Sequence, residues 1–345
     1  MTFSAIRTWL ETWRRPVTRP ARERLAVAAR EAARALGGKG RLSPYRLWPT
    51  PRDVQILPAG QSPLALRLYG LIQGLPVPID LPFIDAAGLL GPFARSRKAG
   101  RAGRVTKENA ILFLPRIGAP IARGEKRRVL KVSVGERHHF REIRMLRSFA
   151  GEPDIMPPLA AADPAGRWLV LDFVSAARKL SAEEQADVFL RKIAPRYYRR
   201  WGVKPKPTAR LLRHRHDAAA IEAEAGRLGL ALPADWADGK LAWTITHGGG
   251  ICEEVIETAE GKAFLLDWEK AGLDPIADDL LQVFEYAPED TLALFASLNP
   301  PGALAPQVQL AVALALRSRY NRRKGRPIPA RARSDARCAG LLRSR

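Results

Sequence analysis

The sequence predicts an α+β protein with two lobes and an additional segment at the N-terminus. Two short apolar runs, residues 110–114 and 128–134, have the pattern of strands, and a helix with one apolar side follows over 138–149. An apolar strand at 168–174 completes the order strand, strand, helix, strand. From residue 181 onward the pattern becomes mainly helical, and this change separates a smaller lobe from a larger one.

The larger lobe opens with a capping box, in which Ser181 and Glu184 begin a helix that extends to about Trp201. Further helices are predicted over residues 217–228, 280–286 and 308–319. Two short strands, 241–246 and 263–266, flank a glycine-rich loop. The glycine-rich loop is therefore expected at one end of a small sheet.

The N-terminal extension combines helical and hairpin patterns. Residues 1–36 predict two helices, the first with an apolar stripe made by Phe3, Ile6, Leu10 and Trp13. Residues 54–57 and 64–69 predict the strands of a β-hairpin, with a Gly-Gln-Ser-Pro turn between them. The helical face either packs on the protein's own core or binds an anionic membrane surface, and the pattern leaves both open.

These patterns divide the chain into five segments. They are a basic amphipathic helical segment (1–41), an N-terminal extension with a basic linker (42–108), a small lobe (109–175), a helical lobe (176–320) and a basic tail (321–345). The tail predicts partial disorder because Asp335 is the only acid after Arg317.

Composition limits the classes of partner and compartment. The formal net charge of +22 favours anionic partners such as acidic headgroups or phosphorylated substrates, while the lack of a nucleic-acid-binding motif argues against nucleic acid. The sequence contains no run of eighteen apolar residues, so no transmembrane helix is predicted. Two cysteines far apart suggest no disulfide framework, so we expect a cytoplasmic protein, with peripheral membrane association as an open alternative.

Polar residues follow two neighbouring strands of the larger lobe. The sequence His247-Gly-Gly-Gly follows the first strand, Asp267 follows the second, and Glu254 lies between them. A loop after one strand and a carboxylate at the end of the next place polar groups at the same end of a small sheet. The sequence therefore predicts a place for a metal–phosphate complex.

This constellation resembles the aminoglycoside/choline phosphotransferase-like kinases, which have a protein-kinase-like fold. Their motifs are His-Gly-Asp, then Asn about five residues later, a strand ending Ile-Asp-Trp-Glu, and Asp-Pro-x-x-Asp. The matching segments are His247-Gly248, Leu266-Asp267-Trp268-Glu269 and Asp274-Pro275-Ile276-Ala277-Asp278. The resemblance implies a two-lobed kinase-like fold, with ATP and Mg²⁺ as cofactors if the protein is active.

The resemblance extends to the smaller lobe. Lys131, in the strand Val-Leu-Lys-Val, matches the phosphate-binding lysine, and Glu142 matches its ion-pair partner on the following helix. Asp172 and Val174 fall in the strand and linker that hold adenine through main-chain hydrogen bonds in this family. His139, at the start of the helix, is expected to face solvent.

Two positions depart from the family pattern in the catalytic loop. The catalytic Asp falls on Gly249, which has no side chain to orient or deprotonate a hydroxyl, and the metal-binding Asn falls on Glu254. Glu254 still suits Mg²⁺, since hard cations favour carboxylates. The candidate catalytic residues are therefore His247, Glu254 and Asp267, of which Asp267 and Glu254 are the candidate metal ligands. Glu253 or Glu254 is a candidate displaced base.

Three functions are consistent with these residues. The first is MgATP-dependent phosphorylation of a hydroxyl on a small molecule, for example a sugar or glycolipid precursor. The second is a catalytically inactive pseudokinase that binds nucleotide or a partner, and the third is a basic protein that binds membrane or nucleic acid.

Overall fold

The structure, a computed structural model, contains two compact units of mixed helix and strand. It describes residues 45–49, 54–58, 79–80, 103–105, 109–114, 128–133, 139–149, 154–215, 217–323 and 329–344, with helical positions 24, 27, 28, 31, 32 and 35. The first unit comprises Met1–Pro153 and Pro157–Val174, and the second comprises Asp154–Met156 and Ser175–Arg345. The α+β class and the two-lobed architecture predicted from the sequence are confirmed.

The first unit is built on one antiparallel sheet of eight strands. The strands are β1 (Tyr45–Pro49), β2 (Val54–Pro58), β3 (Ile79–Asp80), β4 (Gly103–Val105), β5 (Asn109–Leu114), β6 (Arg128–Ser133), β7 (Leu159–Ala162) and β8 (Trp168–Asp172). They lie in the order β3-β1-β2-β4-β5-β6-β8-β7. Strand β6 is central, and its neighbours β5 and β8 pair with it along its length.

The N-terminal extension contributes a hairpin to this sheet. Strand β2 lies where a strand was expected and pairs with β1 before it, while the other strand of the predicted hairpin, residues 64–69, lies outside the described part. Strand β4 comes from the segment taken as a basic linker. Among the described residues, Val54 of β2 pairs with Gly103 of β4. The hairpin therefore extends the sheet of the small lobe instead of folding apart from it.

Helix α1 (Phe140–Ser148) and an N-terminal helical segment cover this sheet. Helix α1 packs against β7 and buries Ile143, Met145 and Leu146. In the N-terminal segment Ala28 and Ala32 are buried, and the Glu31 carboxylate accepts a hydrogen bond from the Trp168 indole at 2.9 Å. This second N-terminal helix therefore packs on the core of the first unit, whereas the apolar stripe of the first helix, from Phe3 to Trp13, lies outside the described residues, and its binding to an anionic membrane surface stays a prediction.

The second unit is mostly helical and contains two small sheets. Its helices are α2 (Ala182–Val188), α3 (Ala194–Trp201), α4 (Ala209–Arg215), α5 (Ala218–Arg227), α6 (Ile251–Glu254), α7 (Ile276–Phe284), α8 (Pro288–Leu298), α9 (Pro306–Arg323) and α10 (Pro329–Arg343). Its strands are β9 (Lys204–Pro207), β10 (Lys240–Thr246), β11 (Val255–Glu257), β12 (Ala263–Leu265) and β13 (Gly272–Pro275). One sheet has the order β13-β10-β9, and β11 pairs with β12 in the other.

Helices α2 and α3 form one continuous helix with a π-helical turn at Phe189–Ile193. The predicted capping box is present: the Glu184 N–H donates to Ser181 Oγ at 3.2 Å, and the Ser181 N–H donates to Glu184 Oε2 at 2.8 Å. The π turn ends where Pro195 lacks the N–H that an α-helix needs. The turn is therefore a local response to proline inside a helix.

The C-terminal tail corrects a sequence-based expectation. The segment predicted to be partly disordered contains α10, which packs on α9 and buries Cys338 and Ala339. The Arg317 Nε donates to Asp335 Oδ1 at 2.8 Å. The high positive charge concealed a small apolar face, because alanine and cysteine contribute little to hydrophobic periodicity. Within the described ranges, no helix is long and apolar enough to span a bilayer.

Candidate functional site

In the first unit, Lys131 and Glu142 form the ion pair expected from the sequence. Strand β6 carries Lys131 opposite Ile111 and Leu169, so the lysine lies in the middle of the sheet. Glu142 lies in the first turn of α1. The Lys131 Nζ donates to Glu142 Oε1 at 2.6 Å, and both side chains are almost fully buried.

The electrostatics of Glu142 depend on its neighbours. Burial by itself would raise the pKa of Glu142, but the Lys131 ammonium and the His139 ring together lower that pKa to about 2. His139 Nδ1 lies 3.4 Å from Glu142 Oε2. Contrary to expectation, His139 is buried, and its ring lies against the Glu142 carboxylate at the start of α1.

The two residues expected to hold adenine differ in their main-chain contacts. The Asp172 N–H donates to the Pro158 carbonyl at 2.9 Å at the end of β8, so this donor is occupied within the sheet. Val174 makes no main-chain hydrogen bond with any residue in the described ranges.

In the second unit, His247 braces the glycine-rich loop. Its side chain is fully buried, its Nε2 lies 2.7 Å from the Leu266 carbonyl, and its Nδ1 accepts the Gly249 N–H at 3.2 Å. The Trp268 ring packs edge-on against it with centroids 4.8 Å apart. Since both ring nitrogens are engaged, His247 links the loop to Leu266, the residue before Asp267.

Asp279, on α7, holds the main chain of this loop. Its carboxylate accepts the His247 N–H at 2.8 Å, the Gly248 N–H at 3.1 Å and the Tyr198 hydroxyl at 3.3 Å. Burial raises the pKa of Asp279, and these donors together with His247 oppose that rise. The sequence motif had drawn attention to Asp278, which is only half-buried.

Asp279 was therefore missed, although its position in the helical repeat of α7 indicates that it is buried. It lies three residues after Ile276 and four before Val283, both of which are buried on α7. A carboxylate on the apolar side of a helix requires hydrogen-bond donors. Helical periodicity would have selected Asp279, whereas motif spacing selected its neighbour.

The glycines after His247 have little room for side chains. Gly248 has φ +69°, and a Cβ there would lie 2.8 Å from the Lys270 carbonyl oxygen. A Cβ at Gly249 would lie 2.8 Å from His247 Cε1 and 3.0 Å from its Nδ1. The ring is pinned by its own contacts, so the position at which the resembling family has its catalytic Asp is closed to a side chain here.

The candidate metal ligands, Glu254 and Asp267, lie at the same end of the β11–β12 hairpin. The Leu266 N–H donates to the Glu254 carbonyl at 3.0 Å, which extends the pairing of Val255 with Leu265. Asp267 has left-handed backbone angles, φ 59° and ψ 63°. Such a conformation is uncommon for a residue other than glycine and occurs often at functional sites.

These two carboxylates suit Mg²⁺, which proteins usually bind through one or two carboxylates together with phosphate oxygens. Within the described residues, no group of three or more His, Cys, Asp and Glu side chains is arranged to hold a metal by itself. The donor set therefore fits a metal that arrives with a phosphate ligand.

Cys252 lies in the same loop but is not an activated thiol. Its Sγ donates to the Gln282 carbonyl at 3.4 Å. Burial and the nearby carboxylates of Glu285, Glu183 and Glu253 raise the pKa of Cys252 to about 12. Thiolate chemistry is therefore disfavoured at this position.

Comparison with known proteins gives structural neighbours only. No protein-family model and no curated protein matches the chain. The structure is similar to the choline kinase LicA from Streptococcus pneumoniae, with 14% identity and a TM-score of 0.43 over 70% of this chain and 91% of that one. A choline/ethanolamine kinase family protein from Mesorhizobium loti is similar at 16% identity and a TM-score of 0.42, over 72% and 92%. A thermostable mutant of the aminoglycoside phosphotransferase APH(4)-Ia, in complex with AMP-PNP and hygromycin B, is similar at 15% identity and a TM-score of 0.42, over 70% of this chain and 92% of that one.

Proposed function

We propose that the chain is a kinase-like protein that binds a magnesium–nucleotide complex and has lost base-assisted phosphoryl transfer. The observation that carries this proposal is a contrast between two positions. The buried Lys131–Glu142 pair is intact, while a side chain at Gly249 would collide with the His247 ring. The residues expected to bind phosphate are retained, whereas the position expected for the general base has no room for a side chain.

The roles of the residues follow from their chemistry. Lys131 would contact the nucleotide phosphates, with Glu142 fixing the direction of its ammonium group. Asp267 and Glu254 would hold Mg²⁺, which neutralises phosphate charge when it is bound. A missing general base typically lowers the rate by about 10²–10⁴-fold, so at most slow transfer is expected.

The binding half of this proposal is tested with Mg²⁺ and AMP-PNP by calorimetry on the full chain. We expect binding by the wild type and a loss of about tenfold or more in Lys131→Met and Asp267→Asn, since each removes a charged contact. Lys192→Met is the matched control, because Lys192 is a partly exposed lysine paired with Glu257. An absence of nucleotide binding by the wild type would refute the proposal.

The catalytic half is tested by following transfer from ATP to a panel of hydroxylated acceptors. We expect at most slow turnover, about 10²–10⁴-fold below that of a kinase that has its general base. Fast acceptor-dependent turnover that disappears in Asp267→Asn would show a working phosphotransferase and overturn this half alone.

One observation favours such a working enzyme, and it concerns Glu253. This carboxylate is exposed on α6, and its Oε2 lies 3.5 Å from where a Cβ of Gly250 would be. Glu253 is therefore the candidate displaced base beside the glycines. In this alternative Glu253→Gln abolishes transfer while nucleotide binding is retained, and Glu260→Gln, a change at another exposed glutamate, leaves transfer unchanged.

A further inference from the structure

A long stretch of the second unit is basic without interruption. Residues 188–216 contain ten lysines and arginines and no aspartate or glutamate. Arg191 and Lys192 have carboxylate partners from outside the stretch: Arg191 Nε lies 2.6 Å from Asp187, and Lys192 Nζ lies 2.5 Å from Glu257. The rest of the stretch includes a group whose charge is not balanced in this way.

That group consists of Lys204, Lys206 and Arg210, which we call the β9 cation cluster. Lys204 is opposite Trp243 and Lys206 is opposite Leu241 in the β9–β10 pairing, so both lysines lie on the same face of the sheet. Lys206 Nζ lies 5.8 Å, and Arg210 Cζ 5.4 Å, from the centroid of the Trp243 ring. Two of the three cations therefore face one buried indole, and Lys204 lies opposite the residue that carries it.

The β9 cation cluster has no carboxylate to balance it. Among the described residues, none of its three members forms an ion pair with Asp or Glu. Burial, Arg210 and Lys204 together lower the pKa of Lys206, which reflects the proximity of like charges. Contact with one indole ring attracts cations but cannot neutralise three of them.

The backbone that carries these cations is fixed. Pro205 and Pro207 alternate with the lysines, restrict the chain and remove N–H groups from the edge of the sheet. The Thr208 N–H donates to the Gly239 carbonyl at 2.9 Å at the end of β9. Prolines and lysines on an edge strand also disfavour pairing with a strand of another chain. A preorganised, uncompensated cluster of this kind suits a compact anion.

We propose that Lys204, Lys206 and Arg210 form a binding site for a phosphate-bearing ligand with at least two negative charges. Arginine supplies a planar pair of donors to phosphate oxygens, and the lysines supply compact charges beside it. The ligand is either a free phosphorylated molecule or the headgroup of an anionic lipid, because both present the same chemistry. The site lies entirely in the second unit and does not depend on the nucleotide proposal.

Pyrophosphate is the first probe, measured by calorimetry on the full-length chain. We expect the double variant Lys206→Gln/Arg210→Gln to lose affinity by about tenfold or more, since each cation makes a charge-assisted contact. Arg191→Gln/Lys192→Gln removes the same charge from the same basic stretch but from paired residues, and it should bind as the wild type does. Lys131→Met should also retain this affinity, which separates the site from the nucleotide residues.

Vesicles distinguish the two sources of phosphate. Binding to vesicles containing phosphatidic acid, lost in Lys206→Gln/Arg210→Gln, would identify a lipid headgroup, whereas binding of pyrophosphate alone would identify a free ligand. The single variant Lys206→Arg keeps the charge, so it should bind pyrophosphate or the vesicles as the wild type does. Equal affinity in the two double variants, or no binding of either probe by the wild type, would overturn the proposal.

Discussion

The Lys131–Glu142 pair shows how one residue's chemistry depends on another inside the first unit. Glu142 has almost no exposed surface, and a carboxylate in that position is stable as an anion only because Lys131 and His139 face it. Removing one partner of a buried pair leaves an uncompensated charge, which costs more than the pair contributed.

We therefore expect Lys131→Met to lower the free energy of unfolding by about 3–5 kcal/mol at neutral pH. The double variant Lys131→Met/Glu142→Leu removes both charges and should recover most of that loss. Urea titrations followed by circular dichroism measure both values. A single variant as stable as the wild type would show that Glu142 is hydrated.

The low pKa of Glu142 predicts how the free energy of unfolding depends on pH. Glu142 has an ordinary pKa of 4.5 and a pKa of about 2 in the folded protein, so its contribution is fully present above pH 4.5. That contribution is lost as the pH falls from 4.5 towards 2, because the unfolded chain takes up the proton first. In Glu142→Gln the unfolding free energy, measured by urea titration at several pH values, should fall less steeply over this range.

At Gly249 the effect of a substitution on stability depends on the space available and not on charge. Gly249→Ala places a Cβ against the pinned His247 ring, and overpacking of this kind costs about 1–3 kcal/mol. Gly250→Ala is the matched control, because its Cβ would meet Glu253 only at ordinary contact distance, 3.5 Å. Thermal melts compare the two. By the same reasoning Gly249→Asp should fail to restore transfer, and fast transfer by that variant would show that the ring moves aside.

Among the elements, α7 and the loop after β10 act as one structural piece. The Asp279 carboxylate joins them by accepting the N–H groups of His247 and Gly248. His247 in turn contacts the Leu266 carbonyl, next to Asp267. Helix α7 therefore helps to fix the position of Asp267 through the loop.

Asp279→Ala should therefore disturb the loop as well as the fold. Two buried N–H groups lose their acceptor, and each costs about 1–3 kcal/mol. Amide hydrogen exchange should increase at residues 247–249 and remain unchanged at β11. Asp278→Ala, one residue away and half-buried, should leave the loop protected, and equal exchange in the two variants would contradict the role assigned to Asp279.

Local patterns predicted the elements that have strong local causes. The capping box at Ser181 marked the start of α2, and the apolar alternation around Lys131 marked β6. The pairing of β2 with β1 was not predicted, because periodicity shows where a strand lies but not which strand it pairs with. His139 and Asp279 were missed because the burial of a polar side chain depends on donors and charges contributed by other elements.

At the scale of the whole molecule, a basic composition hid ordered structure. Helix α10 belongs to a tail with one acid, yet that acid, Asp335, binds Arg317 of α9, and Leu342 is buried with its neighbours. Charge therefore told little about whether this segment folds, because a few small apolar residues are enough to hold a helix on an existing core.

Removal of residues 329–345 should lower the melting temperature of the second unit by several degrees, since burial of Cys338, Ala339 and Leu342 is lost. A chain lacking only Ser344 and Arg345 is the control and should melt as the full chain does. Scanning calorimetry checks both, and an unchanged transition in the longer truncation would contradict a structural role for α10.

The strands of the N-terminal extension belong to the sheet that carries Lys131. Strands β1 and β2 are joined by five residue pairs, and among the described residues Val54 of β2 pairs with Gly103 of β4, which in turn pairs with β5. One hydrogen-bonded ladder therefore runs from the extension to the strand of the lysine. A chain that begins after β2 would leave the edge of β4 uncovered, and an uncovered strand edge is a template for association with another chain. Loss of the extension is therefore expected to cause aggregation.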